Sequence, residues 1–198
     1  AFTAQPLASA PESGVQWMRA DWLDGSGKPS ILWADDAAVH ILDGATIPFR
    51  NPRAVALADL NYDFKNDLVI AGDGGLAIYQ QDTPQKFTDV TAQSHVPPEI
   101  LHGAYSGAWP FDVDLDGDLD IVLAVNGSAP VVLRNNGDGT FGIVRLFEGV
   151  TGGISFAAAD LDGDGTPDVA IVGSDGKLSV FTNERFGRFQ RRTLPDNL

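Results

Sequence analysis

The sequence predicts an all-β protein, and three of its features support this prediction. Short apolar runs rich in β-branched residues, such as Ile121–Val125 and Val169–Val172, are typical of strands. The 22 glycines and 12 prolines lie mostly between such runs, where turns are expected. A motif of alternating aspartates precedes several of the runs and recurs along the chain, which indicates repeated structural units. With 198 residues, 43% of them hydrophobic, the chain can bury a sizeable core.

The aspartate motif predicts calcium-binding loops. Its two complete copies are residues 112–120 and 160–168, which we call loop 3 and loop 4. Carboxylates at positions 1, 3, 5 and 9 of such a loop can converge on one hard cation. The main-chain carbonyl of position 7 adds an oxygen, and glycine at position 6 allows the sharp turn. The candidate ligands are Asp112, Asp114, Asp116, Asp118 and Asp120 in loop 3, and Asp160, Asp162, Asp164, Thr166 and Asp168 in loop 4.

Two further copies lie upstream and depart from the motif. Loop 2 spans residues 59–67, and Phe64 stands at its glycine position, so we expect a weaker site there. Loop 1 spans residues 20–30, fits only after a one-residue insertion and ends in Ser30 instead of aspartate, so we expect it to lack a metal. The motif therefore predicts two calcium ions and leaves a third open. The candidate ligands of loop 2 are Asp59, Asn61, Asp63, Lys65 and Asp67.

The spacing of the motif differs from that of an EF-hand. An EF-hand loop has a bidentate glutamate at position 12 and joins two helices. Position 12 is Leu123 in loop 3 and Ile171 in loop 4, and both residues lie inside apolar runs of strand type. These loops are therefore expected to join strand to strand.

Four structural units follow one another along the chain. The first motif aspartates, Asp21, Asp59, Asp112 and Asp160, lie 38, 53 and 48 residues apart, which is the spacing of repeats. Each unit is predicted to contain four strands. The first enters the loop, the second leaves it, the third follows a turn, and the fourth begins with phenylalanine. The entering strands are 55–57, 108–111 and 156–159, the third strands are 76–79, 131–133 and 178–181, and the fourth begin at Phe87, Phe141 and Phe189.

Four antiparallel strands in about fifty residues are typical of a β-propeller blade. A β-sandwich is the alternative, but it would not require the same loop chemistry at the same place in every unit. We predict blades at residues 15–50, 54–92, 107–148 and 154–195. The chain, residues 1–198, would then be a single propeller domain or a segment of a larger propeller.

Two segments carry a resemblance to a known family. Phe156–Asp168 (FAAADLDGDGTPD) and Asn135–Phe141 (NNGDGTF) resemble the FG-GAP and VCBS repeats. The resemblance extends over most of the chain and implies calcium-binding propeller blades like those of integrin α-subunits, of the type found in bacterial surface proteins. Similar repeats occur in adhesion proteins, lectins and polysaccharide lyases, so the resemblance implies a fold more directly than a function. Phe64, Ser26 and Ser30 depart from the family pattern.

The charge of the chain excludes some partners. The formal net charge is −14, and 23 of the 27 acidic residues are aspartates, which suits tight loops and calcium sites. Nucleic acid is not expected as a partner because it requires a basic surface. No run of eighteen apolar residues occurs, so membrane insertion is not expected either. The arginines near the end, Arg185, Arg188, Arg191 and Arg192, are expected to lie on a solvated strand pair.

Two expectations concern packing. Residues 1–5 resemble residues 86–90, a fourth strand, which suggests either that the chain is cut from a longer polypeptide or that Phe2 pairs with the last blade to close a ring. An open row of blades would leave apolar faces for another chain segment or another copy to cover. The tryptophans are expected to pack between blades; they are Trp17, Trp22, Trp33 and Trp109.

The motifs favour recognition over catalysis. His40, His95 and His102 lack zinc-site spacing, and no nucleophile elbow or phosphate-binding loop occurs. The leading hypothesis is a non-enzymatic, calcium-stabilised propeller that recognises a protein or glycan, as in adhesion. Two alternatives stay open: a carbohydrate-active lyase or hydrolase, and a structural module that assembles with itself. Because calcium is scarce in the cytosol, an extracellular, cell-surface or periplasmic location is expected.

Overall fold

The structure is a computed structural model that describes residues 14–23, 27–83 and 85–194. It contains four antiparallel sheets of four strands each, and in every sheet the strands lie side by side in chain order. The prediction of an all-β protein built from four-stranded blades is confirmed. Residues 1–5 and residues 24–26 of loop 1 lie outside the described residues, so the predicted strand at Phe2 and the side chain of Ser26 are not described.

The four blades follow one another along the chain. Blade 1 consists of β1 (Trp17–Asp21), β2 (Ser30–Ala34), β3 (Ala38–Ile41) and β4 (Thr46–Pro48). Blade 2 consists of β5 (Pro52–Ala58), β6 (Asp67–Gly72), β7 (Gly75–Thr83) and β8 (Lys86–Asp89). Blade 3 consists of β9 (Tyr105–Phe111), β10 (Asp120–Val125), β11 (Val131–Asn135) and β12 (Phe141–Val144). Blade 4 consists of β13 (Gly153–Ala159), β14 (Asp168–Gly173), β15 (Leu178–Asn183) and β16 (Phe189–Arg191).

Blades 2 and 3 are joined by a longer connection than the other blades. A 3-10 turn, Thr91–Gln93, and a single-turn helix, α1 (Pro98–Leu101), lie in this connection. The hydroxyl of Tyr105 at the start of β9 donates a hydrogen bond to the carbonyl of Ile100 in α1. No helix in the described part of the chain is long and apolar enough to cross a lipid bilayer.

Apolar side chains form a separate core between each pair of neighbouring blades. In β6, Leu68 and Ile70 lie in the core between blades 1 and 2, whereas Val69 and Ala71 lie in the core between blades 2 and 3. Successive residues of a strand point to opposite faces of its sheet, so a blade packed on both sides buries every residue of its second strand. This packing explains why β6 and β10, the second strands of blades 2 and 3, are uninterrupted apolar runs.

The tryptophan prediction is only partly correct. Trp17 packs against the core between blades 1 and 2, and Trp109 packs against the core between blades 3 and 4. Trp22 is 51% exposed in the loop after β1, so the prediction is wrong for this residue. Trp33 is buried on the face of blade 1 opposite to Leu32, where it stacks on His40 with ring centroids 5.1 Å apart and no described blade packs on it.

Blade 4 presents an apolar face on which no described sheet packs. Ala157, Ala170 and Val180 are paired across neighbouring strands. They occupy the positions that Trp109, Val122 and Val132 hold in blade 3, where blade 4 covers those side chains. Beside them, Val172 is half-buried and Leu178 is 44% exposed. We call Ala157, Ala170, Val172, Leu178 and Val180 the outer face of blade 4.

Candidate metal centre

Loops 2, 3 and 4 occupy the same place in their blades, between the first strand and the second. In each loop the carboxylate of position 1 accepts main-chain hydrogen bonds from residues further along the loop. Asp112 accepts from Leu115 (2.7 Å) and Gly117 (3.0 Å). Asp160 accepts from Gly163 (2.7 Å) and Gly165 (3.0 Å). The position 1 aspartate therefore winds the loop around its own side chain, as in an Asx turn.

The position 9 aspartates, Asp67, Asp120 and Asp168, are buried and connect the loop to the third strand. Asp120 accepts hydrogen bonds from the amides of Val113 in loop 3 and Asn135 in β11, both at 2.8 Å. Asp67 does the same with Leu60 and Gln81, and Asp168 with Leu161 and Asn183. The sequence assigned these aspartates to metal binding, but the structure gives them a further role in holding the loop to its blade.

The asparagines at the ends of β11 and β15 were not found from the sequence. The side chain of Asn135 accepts from the amide of Gly137 (3.0 Å) and donates to the carbonyl of Leu60 in loop 2 (3.2 Å). Asn183 accepts in the same way from the amide of Arg185 (2.8 Å). In the sequence, asparagine at a strand end suggests only a turn, so the contact with the preceding blade carries no local signal.

Two sets of aspartates come together in the way that a metal site requires. Asp112, Asp114 and Asp116 each offer a carboxylate oxygen, and the three oxygens lie within 4.8 Å of one another. Asp160, Asp162 and Asp168 form a second set within the same limit. Asp120 and Asp164 lie outside these triads, although both belong to the predicted ligand sets.

The position 7 residues of loops 3 and 4, Asp118 and Thr166, form side-chain hydrogen bonds outside the acidic triads. The hydroxyl of Tyr62 in loop 2 donates to the carboxylate of Asp118, and the hydroxyl of Thr166 donates to Asp164 at 2.6 Å. Loop 2 contributes no acidic triad. Its Lys65 ammonium lies 3.0 Å from the carboxylate of Asp63.

Loop 2 keeps the backbone of the other loops although it lacks the glycine at position 6. Phe64 at position 6 adopts φ +64°, a left-handed conformation that is costly for a bulky side chain, and it is 89% exposed. Asp59 accepts hydrogen bonds from the amides of Asp63 (3.1 Å) and Phe64 (2.8 Å), so the loop still winds around its first carboxylate. Asn61 accepts from the amide of Asp63 at 3.1 Å. Loop 2 therefore keeps the fold of the motif without converging its carboxylates.

The residues of loops 3 and 4 fit a calcium ion. All their candidate ligands are hard oxygens, which calcium prefers. The Oδ1 atom of Asp114 is buried and has no hydrogen-bond partner, although an unpaired buried carboxylate oxygen is costly. Gly117 and Gly165 at position 6 adopt φ of +96° and +86°, which a residue with a Cβ adopts only with strain.

Comparisons with known proteins agree with this architecture. A family model described as FG-GAP-like repeat matches residues 59–123 and 112–171, which together make up more than half of the chain. The chain belongs to the FG-GAP-like repeat family. Both matches begin at the first aspartate of a motif loop and end in the second strand of the next blade. No curated protein matches the chain.

Solved structures share the fold of these FG-GAP-like blades. An Agrocybe aegerita lectin, solved to explain its recognition of non-reducing terminal N-acetylglucosamine, matches with a TM-score of 0.62 and 22% identity over 89% of this chain and 52% of the lectin chain. BBS1N in complex with ARL6DN, soaked with lead, matches with a TM-score of 0.58 and 16% identity over 91% of this chain and 55% of that chain. The chain thus spans about half the length of these structures.

Burial raises the pKa of two position 9 aspartates in the FG-GAP-like loops. The pKa of Asp120 rises to about 7, mainly because burial removes water from the carboxylate, while hydrogen bonds from Val113 and Asn135 oppose the shift. The pKa of Asp67 rises to about 6 for the same reason, and hydrogen bonds from Gln81 and Leu60 oppose it. Neighbouring aspartates in each loop add to the increase.

The raised pKa of Asp67 predicts a specific pH dependence of stability. An acid whose pKa is higher in the folded state than its ordinary value of 3.8 binds its proton more tightly when folded, so the free energy of unfolding falls as the pH rises through about 6. Relative to Asp67→Asn, the wild type is expected to lose about 2 kcal/mol between pH 4 and pH 7.5. Urea denaturation of both proteins in EDTA measures this loss. A difference between them that stays constant over this pH range would contradict the prediction.

Proposed function

We propose that the chain is a non-enzymatic, calcium-binding propeller segment that recognises a protein or glycan. The observation that carries the proposal is the convergence of three carboxylates in loop 3 and three in loop 4, each set within 4.8 Å. The carboxylates within each cluster repel one another unless a cation neutralises them. Calcium suits a site whose ligands are all oxygens. In both loops the first carboxylate is already committed to main-chain hydrogen bonds, which supports a structural ion in preference to a catalytic one.

The metal would fix the shape of the loops, and the loops carry exposed apolar side chains. Tyr62 and Phe64 in loop 2 are 57% and 89% exposed, and Phe186 after β15 is 81% exposed. Leu115 in loop 3 and Leu161 in loop 4 are also exposed. Exposed aromatic residues on loops held by a rigid scaffold are typical of binding surfaces. Because calcium is available outside cells, we propose an extracellular, cell-surface or periplasmic location.

A cleft between blades 2 and 3 has the chemistry of a sugar-binding pocket. Its volume is about 390 Å³, which is within the range of small-molecule sites. Apolar side chains, including Leu60, Val90 and Phe141, line it together with polar residues, which are Asn61, Asp67, Gln80, Gln93 and Asp138. This mixture of apolar, amide and carboxylate side chains favours a glycan among the partner classes. The matching lectin recognises non-reducing terminal N-acetylglucosamine, so glycans that end in N-acetylglucosamine are the first ligands to test.

A glycan array probed in 2 mM calcium and again in EDTA tests this proposal. The protein is expected to bind a subset of glycans, and Gln93→Ala is expected to weaken that binding about fivefold through the loss of one hydrogen bond. Gln190→Ala is the matched control, since Gln190 is an exposed glutamine on β16 of blade 4. Binding that is equally weakened by both changes, or no binding to any glycan, would count against the glycan proposal and leave a protein partner to be sought.

The outer face of blade 4 favours a second candidate, a module that assembles with itself. This face repeats the side-chain positions that form an interblade core elsewhere in the chain, and half of the Leu178 side chain is exposed there. An aliphatic surface of this kind is costly in water. A second copy of the chain offers blades of the same chemistry to cover it.

A further inference from the structure

Arg134 holds two of the carboxylates that would bind calcium in loop 3. This residue lies on β11, directly before Asn135. Its Nε donates to Oδ2 of Asp114 at 2.5 Å, and its Nη2 donates to Oδ2 of Asp116 at 3.2 Å. Asp114 and Asp116 are positions 3 and 5 of the loop and belong to the acidic triad. A guanidinium group therefore already neutralises charge at the place where a divalent ion would bind.

Loop 4 differs from loop 3 at this position. Asn183 and Asn135 make the same main-chain bond to their position 9 aspartates, so Thr182 is the counterpart of Arg134. Threonine carries no charge. The nearby Arg185 donates to the main-chain carbonyl of Asp164 at 3.2 Å and not to a carboxylate. Among the ion pairs of the described residues, none involves a carboxylate of loop 4.

We infer that Arg134 competes with calcium for loop 3, so that loop 4 binds calcium more tightly and fills first. This inference rests on the proposed calcium binding of both loops. Calcium needs the oxygens that Arg134 occupies, and a positive charge left beside a divalent ion opposes its binding. The guanidinium cannot leave by losing its proton, because arginine stays protonated in proteins.

The fold gives the Arg134 side chain room to move away. A cavity of about 330 Å³ lies beside it, between loop 3 and the turn that joins β15 to β16. Val144, Leu146 and Phe186 line this cavity together with Arg134. The side chain is also 40% exposed, so its charged end can reach water when calcium displaces it. Competition therefore needs a rotamer change only, without movement of β11.

In the absence of calcium, the same contact has a stabilising role. Asp112, Asp114 and Asp116 repel one another, and Arg134 is the one basic residue that pairs with this triad in the described part of the chain. Removing its charge is therefore expected to have opposite effects on the two forms. The calcium-free protein should become less stable, while the affinity of loop 3 for calcium should increase.

Calcium titration by calorimetry in an Asp160→Ala background, which leaves loop 3 as the intact site, tests the inference. Adding Arg134→Gln is expected to lower the dissociation constant about tenfold. Arg134→Lys keeps the positive charge and is expected to stay within about threefold of the background protein. Arg192→Gln is the matched control for loss of one positive charge elsewhere, because Arg192 is exposed and follows β16. Thermal unfolding in EDTA should show a lower midpoint for Arg134→Gln than for Arg192→Gln.

The outcomes separate this inference from the calcium proposal itself. If the wild type binds calcium but Arg134→Gln leaves the affinity of loop 3 unchanged or weakens it, competition by Arg134 is wrong and calcium binding stands. If glutamine and lysine at position 134 change the affinity equally, the side chain acts through packing and the inference is also wrong. If neither the wild type nor any variant binds calcium, both the proposed function and this inference are overturned.

Discussion

Adding 1 mM calcium to the chelator-treated protein is expected to raise its midpoint of thermal unfolding by about 10 °C. The two acidic triads bring six carboxylates into two small volumes, and an ion that binds only the folded state stabilises it by mass action. A site saturated a hundredfold above its dissociation constant contributes about 2.7 kcal/mol. In a chain of this size, each kcal/mol raises the midpoint by about 2–4 °C. Differential scanning calorimetry in EDTA and in calcium measures the increase.

Substitutions at position 1 of each loop measure how much that loop contributes to the calcium-induced rise in the unfolding midpoint. Asp160→Ala is expected to remove the larger part, Asp112→Ala the smaller part, and the double variant nearly all of it. Asp36→Ala is the control because Asp36 is exposed and lies outside the motif loops. Both position 1 aspartates also organise their loops through main-chain hydrogen bonds, so the variants must be compared by their response to calcium and not by their midpoint in EDTA. A midpoint that does not respond to calcium in the wild type would overturn the calcium proposal.

The second large effect is expected at the outer face of blade 4. If the proposed self-assembly is right, the chain forms dimers or larger assemblies at a concentration of about 100 µM, in which a second copy covers the aliphatic face. Leu178→Glu, which places a charge in that face, is expected to reduce the association constant at least a hundredfold, since burying an unpaired charge costs several kcal/mol. Sedimentation equilibrium or light scattering at several concentrations gives the association constants of both proteins.

Phe186 provides a matched control for that experiment. It is 81% exposed in the turn between β15 and β16, and it lines the cavity beside loop 3 instead of the outer face of blade 4. Phe186→Glu therefore introduces the same charge at an exposed apolar residue outside the proposed interface, and association should be unchanged. A wild type that remains a monomer at 100 µM, or equal effects of the two substitutions, would contradict self-assembly through this face.

The sequence predicted the repeated features of the molecule better than its individual contacts. The periodic motif located loops 3 and 4 because its spacing depends on residues within one loop. The competition by Arg134 could not be predicted, since the arginine lies on β11, fourteen residues after the end of loop 3, and reaches Asp114 only because β11 pairs with β10. The prediction that all four tryptophans pack between blades was only partly correct for a related reason. Whether Trp33 faces a neighbouring blade depends on the register of its strand, and composition does not fix that register.

Loop 2 shows a second limit of motif analysis. The sequence predicts a weaker site in loop 2 because Phe64 replaces the turn glycine, and this stays a prediction. In the structure the carboxylates of loop 2 do not converge, and Lys65, a candidate ligand, pairs with Asp63. The buried role of Asp67 was not visible in the motif, which gives the same residue type to a metal ligand and to an acceptor of two main-chain hydrogen bonds. Aspartate serves both purposes with one side chain, so only the fold distinguishes them.

The contacts between neighbouring loops give the row of blades a direction. Asn66 of blade 2 donates to the carbonyl of Trp22 in the preceding loop at 2.6 Å, and Asn135 of blade 3 donates to the carbonyl of Leu60 in loop 2 at 3.2 Å. In both cases the donor belongs to the later blade and the acceptor to the earlier one. Each of these bonds therefore ties a blade to the one before it and not to the one after it. Replacing Asn135 by alanine is expected to weaken the contact between blades 2 and 3 and to leave the Asn66 bond between blades 1 and 2 in place.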